Sequence, residues 1–477
     1  TDAVRLFSAC ARRINPAFSI DAATLPAVLR ICQLVEGMPL GLEMAAAQSE
    51  WLALPEIARE IEAHSDFLAT DWADVPARQR SMRAVFTWSW ELLDAQDQQT
   101  FSRLSIFRGG FTREAAVAIT GAPLRSLINL VNKSLLYVSY PQPSAARYQV
   151  HELLRQFGAE QLAALPVERT AVEARYSAYY LTLLAEREER LARHEPQRAA
   201  AEIQQELDNI RRAWAHAVAT ANLTLLGRGV NALMRYYELT GLLDECIQEF
   251  RRAVTVLEAI PPDAAAAQSS VHQPLLSKLL AFLASALMKQ GKFDEGMMLA
   301  QRALDIGQAH GGREGEVYGW LILGQGFYRK GDYSQARGQF HQVLRLLEAY
   351  QPHKTAFSLL DDVEYMAHGW LGATESETGN FAAAQTAFEQ GIARCRRLNN
   401  PRAEAQWRIN LANLLRHMSD YRAARALYEE CLQVTHDLGY HWGEGETLAE
   451  LGDTLVMLGE YTLADEYLRR AEGQLAR

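Results

Sequence analysis

The alternation of apolar and polar positions makes the chain helical over most of its length. In the carboxyl-terminal half, runs with apolar residues three and four apart surround a short pattern that keeps returning. It reads GKFDEG at Gly291, GDYSQA at Gly331, GNFAAA at Gly379, SDYRAA at Ser419 and GEYTLA at Gly459. Three of the four spacings are 40 residues, a period that signals stacked supersecondary units. Each unit reads as a helix hairpin. The glycine relieves the turn, the aromatic two positions on packs into the hairpin, and the small residue three further lets the second helix approach closely. Upstream, RTAVEARYSAYYLTLLAEREERLA and AAAEIQQELDNIRRAWAHAVAT read as long connecting helices, with Leu207, Ile210 and Trp214 on one packed face of the second.

Residues 78–165 follow a different grammar. The helical segments SMRAVFTWSWELL, AQDQQTFSRLSIF, TREAAVAIT and PLRSLINLVNKS precede two strands, LLYVSY and RYQV, joined by the turn-rich PQPSAA. Helices followed by a β-hairpin predict a winged helix. Trp88, Trp90, Phe101, Phe107 and Phe111 supply its apolar surface, and Gly109-Gly110 break the chain before a helix capped by Thr112. Nearer the start, ICQLVEGMPLGLEMAAAQSEWL places Gly37 at the end of one helix and Pro39 in the first turn of the next. The opening TDAVRLFSACARR sets a capping Thr and an Asp directly on an amphipathic run, so the chain reads as a fragment cut at a helix boundary or a processed form.

The repeats carry a more specific signature. WLILGQGFYRKGDYSQARGQF holds Trp320, Leu323, Gly324, Phe327, Gly331, Tyr333, Ala336 and Phe340, and the last copy returns with Leu451, Gly452, Leu455, Gly459, Tyr461, Ala464 and Leu468. A weaker copy, ELTGLLDECIQEF, surrounds Gly241. On these residues, six units between about Asn222 and the end resemble tetratricopeptide repeats. Their period exceeds the roughly 34 residues of that family, so helices or loops must be longer. Gaps of 50 and 48 residues before Gly291 and Gly379 hold IPPDAAAAQSSVHQP and AYQPHKTAFSLLDD, which read as loops, with Asp361-Asp362 a loop acidic pair. The resemblance implies a solenoid whose first helices line a concave, partner-binding face. Tyr318, Gln325, Tyr328, Gln406, Asn413, Arg416 and Asp453 fall on those helices as candidate contacts for a protein, peptide or small-molecule inducer. The plain alternative is a set of solvated polar positions without a ligand.

Charge narrows the partners. Asp and Glu number 58 against 48 Lys and Arg, so the whole molecule repels a phosphate backbone. Residues 78–165 reverse the sign, with ten Arg and Lys against six Asp and Glu. Yet PLRSLINLVNKS offers only Arg125, Asn129, Asn132 and Lys133, fewer cations than a helix reading DNA needs. DNA is therefore not the expected partner. The five scattered cysteines fit free thiols in a reducing compartment. With no apolar run of about 18 residues and no signal peptide, a cytoplasmic location away from membranes is expected. THDLGYHWGEGE contains His436, Asp437, His441, Glu444 and Glu446, but without metalloprotease spacing, so no metal site is expected. No P-loop is present, none of the six lysines lies in a glycine loop, and there is no nucleophile elbow. The chain is expected not to be an enzyme.

GMPLGLEMAA, RQRSMRAVFTWSWELL, FSRLSIFRGGFTREAA, LINLVNKSLLYV and YQVHELLRQFGAEQL, followed by the repeats, resemble in order the carboxyl-terminal part of the STAND class of signal-transducing NTPases. That class includes the apoptosome ATPases, plant NLR immune receptors, the bacterial maltose regulator and other bacterial regulators with tetratricopeptide tails. The resemblance implies a mainly α fold: a helical lid (1–77), a winged helix with a short β-hairpin (78–165), connecting helices (166–221) and a tetratricopeptide-repeat sensor solenoid (222–477). The family's Gly-x-Pro proline matches Pro39, and its phosphate-sensing histidine matches His151, with Val150 and Glu152 replacing the flanking Met and Asp. An imidazole N–H at a strand-to-helix junction suits a phosphate; the alternative is a surface or capping histidine. The resemblance further implies no cofactor in this chain alone, ADP or ATP with Mg in the full-length protein, upstream NTPase and effector domains, and oligomerisation on activation. The competing expectation is the repeat scaffold of a transcription regulator whose winged helix binds DNA.

Overall fold

The computed structural model describes residues 2–14, 18–63, 68, 82–142, 145–261, 269–350 and 359–475. The boundary expected between residues 77 and 78, the opening Thr1, the hairpin tip and parts of the two long expected loops lie outside these residues. The chain divides into two compact units, residues 1–180 with 205–216, and residues 181–204 with 217–477.

The first unit begins with four helices, α1 (Asp2–Ile14), α2 (Leu25–Leu34), α3 (Pro39–Gln48) and α4 (Leu54–Ala63). α1 packs on α3 and α2 on α4, burying Phe7, Val28, Ile31, Leu42 and Ile57 completely. Between α2 and α3 the backbone turns left-handed at Glu36 (φ 45°) and Gly37 (φ 72°), and Pro39 starts the next helix as expected. Five more helices and a hairpin follow: α5 (Met82–Glu91), α6 (Ala95–Leu104), α7 (Arg113–Thr120), α8 (Leu124–Asn132), β1 (Tyr137–Gln142), β2 (Ala145–Gln149) and α9 (Glu152–Ala163). Asp94 caps α6 through the Asp97 N–H (2.8 Å), and Thr112 caps α7 through the Ala115 N–H (3.2 Å). The strands are antiparallel, with Tyr137 opposite Gln149 and Val138 opposite Tyr148. Phe111 extends the ladder: its N–H donates to the Tyr148 carbonyl (2.9 Å) and its carbonyl accepts from the Tyr148 N–H (2.8 Å). Phe101, Phe107 and Phe111 are buried, and Phe107 stacks on Phe111 at 4.2 Å. Trp88, expected among the apolar groups of this core, is instead 50% exposed.

Two long helices, α10 (Pro166–Ala185) and α11 (Pro196–Ala219), each run from one unit into the other. Leu207, Ile210 and Trp214 of α11 are buried, as the sequence predicts. The same helix carries a polar hub that the sequence conceals. Asn209, 1% exposed, donates to the Gly110 carbonyl (2.9 Å) and to Glu206 (3.0 Å). Its oxygen accepts from the Arg108 N–H and the Tyr176 hydroxyl, both at 2.8 Å. Beside it, Arg147 of β2 forms a buried ion pair with Glu206. Gly110 needs its missing side chain here: its φ is 89°, and a Cβ would lie 3.1 Å from the Tyr148 carbonyl.

After residues 181–204, the described residues of the second unit form six helix hairpins, α12 (Leu223–Thr240) with α13 (Leu243–Glu258), α14 (Ser269–Lys289) with α15 (Phe293–His310), and α16 (Arg313–Arg329) with α17 (Tyr333–Tyr350). Then come α18 (Leu360–Glu377) with α19 (Phe381–Arg397), α20 (Pro401–His417) with α21 (Tyr421–Asp437), and α22 (His441–Met457) with α23 (Tyr461–Leu475). The long period comes largely from helices of 15 to 21 residues. Gly241, Gly291, Gly331, Gly379, Ser419 and Gly459 all have φ between 64° and 81°, the left-handed turn expected of them. Gly296, Ala336, Ala384, Ala424 and Ala464 are buried where the helices meet. The aromatics of the turns sit higher than expected: Phe293, Tyr333, Phe381 and Tyr421 are half-buried, and Tyr461 of the last hairpin is 68% exposed. α14 is long and apolar enough to cross a bilayer by composition, but 72% of that stretch is buried, the packing of a core helix.

Neighbouring first helices pack on one another, and the second helices of the first five hairpins pack both on their own first helix and on the first helix of the next hairpin. The first helices therefore line the inner side of the curve. This side corrects one expectation. Asp361 and Asp362 are not loop residues but open α18, and Asp362 is completely buried against Arg235 of α12, its Oδ2 2.5 Å from a guanidinium nitrogen. Charged residues at the head of a helix read as a loop because a long polar stretch precedes them.

Also on α18, burial, with Arg397 and His341 nearby, pulls the His368 imidazole down to about 4. The folded chain then binds this proton more weakly than the unfolded chain. Stability from this residue is fully present above its ordinary value of 6.5 and is lost as pH falls towards 4. Chemical denaturation of His368→Gln at pH 7 and pH 4.5 is expected to show a smaller acid loss than the unmutated chain.

Candidate functional site

In the first unit, the two motifs matched to nucleotide sensing meet through a residue that neither motif contains. Glu36 lies in the left-handed turn just before Gly37 and Pro39. Its Oε1 accepts from the Glu152 N–H (2.9 Å) at the start of α9, and its Oε2 from the Tyr137 hydroxyl (3.4 Å). His151, the residue preceding α9, has its Nε2 3.8 Å from the same Oε2, an electrostatic contact without a close hydrogen bond. The imidazole is largely buried, and burial holds it below its ordinary value against the opposing pull of Glu36, the Val35 carbonyl and Glu152. A neutral ring can donate one N–H. Glu152 turns the other way: burial works against its charge, but Arg155 (2.7 Å) and Arg108 keep its carboxyl below the usual range. The corner thus gathers a helix amino terminus, a buried imidazole and two guanidiniums around acceptor groups. Pro39 is exposed beside this turn. Glu36 escaped the sequence reading; a non-glycine residue in a left-handed turn leaves no simple sequence signal.

The inducer candidates divide. Tyr318 lies edge-on to Phe282 (5.4 Å), and burial, with the Asp362 carboxylate, raises its phenol against the opposing pull of Arg235. Tyr328 packs on Trp370 (5.4 Å) and is pushed up to about 12 by burial and Glu377. On α20, Gln406 accepts from the Tyr440 hydroxyl (2.8 Å) and faces Glu446 (3.3 Å), Asn413 accepts from the Tyr428 hydroxyl, and Arg416 pairs with Glu450 (2.6 Å). Gln325 is half-buried and Asp453 exposed. The structure brings Gln406, Asn413 and Arg416 together along one helix and leaves Tyr318 apart in a charged interior. His436 pairs with Glu444 (3.1 Å), while Glu446 faces Gln406, so these acidic groups point to different partners.

The helix-hairpin geometry and the sequence agree. The tetratricopeptide-repeat family profile matches residues 363–435 and 401–473. The second unit is a stack of tetratricopeptide repeats. Beyond the repeats, a Mycobacterium tuberculosis protein named as a candidate HTH-type transcriptional regulator is 33% identical over 230 residues, 47% of this chain and 26% of that protein. An uncharacterized protein of the same species is 31% identical over 184 residues, 37% of this chain and 46% of its own length. The chain therefore spans less than half the length of these relatives. In fold it matches a STAND protein with a tetratricopeptide repeat sensor from Pyrococcus horikoshii, with a TM-score of 0.57 and 15% identity, over 99% of this chain and 60% of that one.

Proposed function

We propose that this chain is the sensor and regulatory segment of a STAND signal-transduction ATPase. The tetratricopeptide repeats bind an inducer, and the first unit, as helical lid and winged helix, holds the nucleotide-binding core closed around ADP. The observation that carries this reading is the Glu36 corner, where the Gly-x-Pro turn and the His151 junction converge on one carboxylate. Glu36, itself an anion, now takes the amino terminus of α9 and faces the buried imidazole, the same donors a phosphate would take. His151 and the amino terminus of α9 would hold the phosphate of a bound ADP, and Pro39 would lie against that nucleotide. Inducer binding to the repeats would shift the balance towards an open, exchanging and oligomerising state through differential affinity for the two conformations.

The name of the mycobacterial relative favours a second reading, a regulator that binds DNA through the winged helix. Two of its four candidate DNA contacts are already engaged: Asn129 donates to Asp97 (3.4 Å) and Lys133 to the Leu92 carbonyl (2.7 Å). That leaves Arg125 and Asn132 exposed on α8, too few cations for steep salt-dependent binding.

The test uses a longer form of the protein that includes the nucleotide-binding core. ADP retained after purification is quantified for the unmutated protein and for His151→Ala. The expected result is stoichiometric ADP in the first and a loss of about tenfold or more in affinity in the second, the scale of one buried charge-assisted contact, with both remaining folded. Equal retention would overturn the assignment of His151, and a salt-sensitive shift of duplex DNA by this chain would favour the regulator.

A further inference from the structure

The hairpin formed by residues 181–204 is part of the second unit although it precedes the repeats. Its legs are fixed on the first repeat: Leu181, Leu184, Ala199 and Ile203 are buried, and Gln204 accepts from the Tyr236 hydroxyl of α12 (2.5 Å). Its apex includes a π-helical turn at Arg190–His194 and makes contacts of a different kind. Arg193 reaches Asp361 at the head of α18 (3.3 Å), which Arg394 also holds (2.8 Å). Glu188 lies 3.9 Å from Arg235 of α12, with Lys278 of α14 and Glu314 of α16 close enough to influence its carboxyl. Gln197 donates to the Leu438 carbonyl, between the fifth and sixth repeats (2.8 Å). Apart from the buried Leu191, the apex is tied to distant repeats by ion pairs and hydrogen bonds. The repeats therefore hold a segment of their own chain against the inner side of the stack.

We infer that this apex is a resident, displaceable ligand of the repeat interior, and that the partner which displaces it is a mixed-charge peptide. Such a peptide carries a basic side chain for the Asp361 position and an acidic one for Arg235 and Lys278. The chemistry is read from the apex itself: Arg193 shares Asp361 with Arg394, and Glu188 adds its charge beside the Arg235–Asp362 and Lys278–Glu314 pairs, so a competitor has to offer both signs to match what the apex supplies. The legs of the hairpin belong to α10 and α11, so release of the apex frees the ends of two long helices. This inference rests on the sensor reading for its purpose, while its physical content does not depend on nucleotide.

The test uses the full chain and a fluorescein-labelled synthetic peptide of residues 186–204. Hydrogen exchange across the apex and peptide anisotropy are measured for the unmutated chain, Arg193→Glu, and Arg193→Glu combined with Asp361→Arg. The unmutated chain is expected to protect its apex and exclude the peptide. Arg193→Glu should expose the apex and bind the peptide at least about tenfold more tightly, and the double variant, with its ion pair reversed, should close in part, because Arg394 also faces position 361. Glu188→Gln serves as a milder opening variant should Arg193→Glu lose its fold. An apex that stays protected in both opening variants, or peptide binding that does not depend on the apex, overturns the inference. Neither readout involves ADP, so a failed nucleotide test and a failed displacement test are distinguishable.

Discussion

Asp362→Ala is expected to destabilise the repeat unit by about 3–5 kcal/mol, the cost of leaving one member of a buried ion pair without its partner. The carboxylate is completely buried and 2.5 Å from Arg235. For Arg235, burial opposes the charge, but the adjacent Asp362 carboxylate outweighs it and raises the guanidinium above its ordinary value. Removing Asp362 thus leaves a positive charge in an interior that also holds Tyr318 and Glu188. Urea denaturation followed by tryptophan fluorescence is the measurement, since Trp370 and Trp407 lie in the same unit. Replacing both residues together, as Arg235→Met with Asp362→Leu, should cost far less, because two apolar side chains leave no charge unpaired. A loss of less than about 1 kcal/mol for Asp362→Ala, the range of exposed pairs, would mean that water reaches this pair.

Asn209→Ala is expected to cost the first unit about 3 kcal/mol or more, because each buried group it leaves unsatisfied costs about 1–3 kcal/mol. The lost partners are the Gly110 carbonyl, the Arg108 N–H and the Tyr176 hydroxyl, all within 2.9 Å of the amide. Asn209→Asp keeps the acceptor for Arg108 and Tyr176 but loses the donor to Gly110 and sets a carboxylate beside Glu206. It should therefore not rescue stability. Thermal unfolding of the three proteins checks both statements. His151→Ala removes only a 3.8 Å contact with Glu36 and a weak interaction with the Val35 carbonyl and is expected to unfold near the unmutated temperature, which separates the two polar centres of this unit by role.

The repeats were legible because their periodic signals arise from local backbone needs. A left-handed turn demands glycine or a small polar residue, and close helix packing demands a small residue, so both recur in the sequence. The β-hairpin was legible from alternation and turn residues, whereas the Phe111 bridge was not, since one paired residue after two glycines has no pattern. Long-range polar partners were hidden for a general reason: the pairing of Arg235 with Asp362, or of Asn209 with Gly110, depends on which surfaces meet after folding. Glu36 belongs to the same class. Its role depends on a turn that places it over the start of α9, more than a hundred residues later in the chain.

These polar contacts also set the order in which the proposed mechanism can be examined. In the proposed function the Glu36 corner would respond to nucleotide and the apex of residues 181–204 to the inducer, and its central claim is that the second controls the first. The direct measurement is the rate of ADP release from the longer protein, followed with a fluorescent ADP analogue, for the unmutated protein and Arg193→Glu, with His151→Ala marking the rate of a broken junction. Release from Arg193→Glu that accelerates towards the His151→Ala rate is the predicted result. Release unchanged from the unmutated protein, with the apex shown to be open, would contradict control of the nucleotide by the repeats.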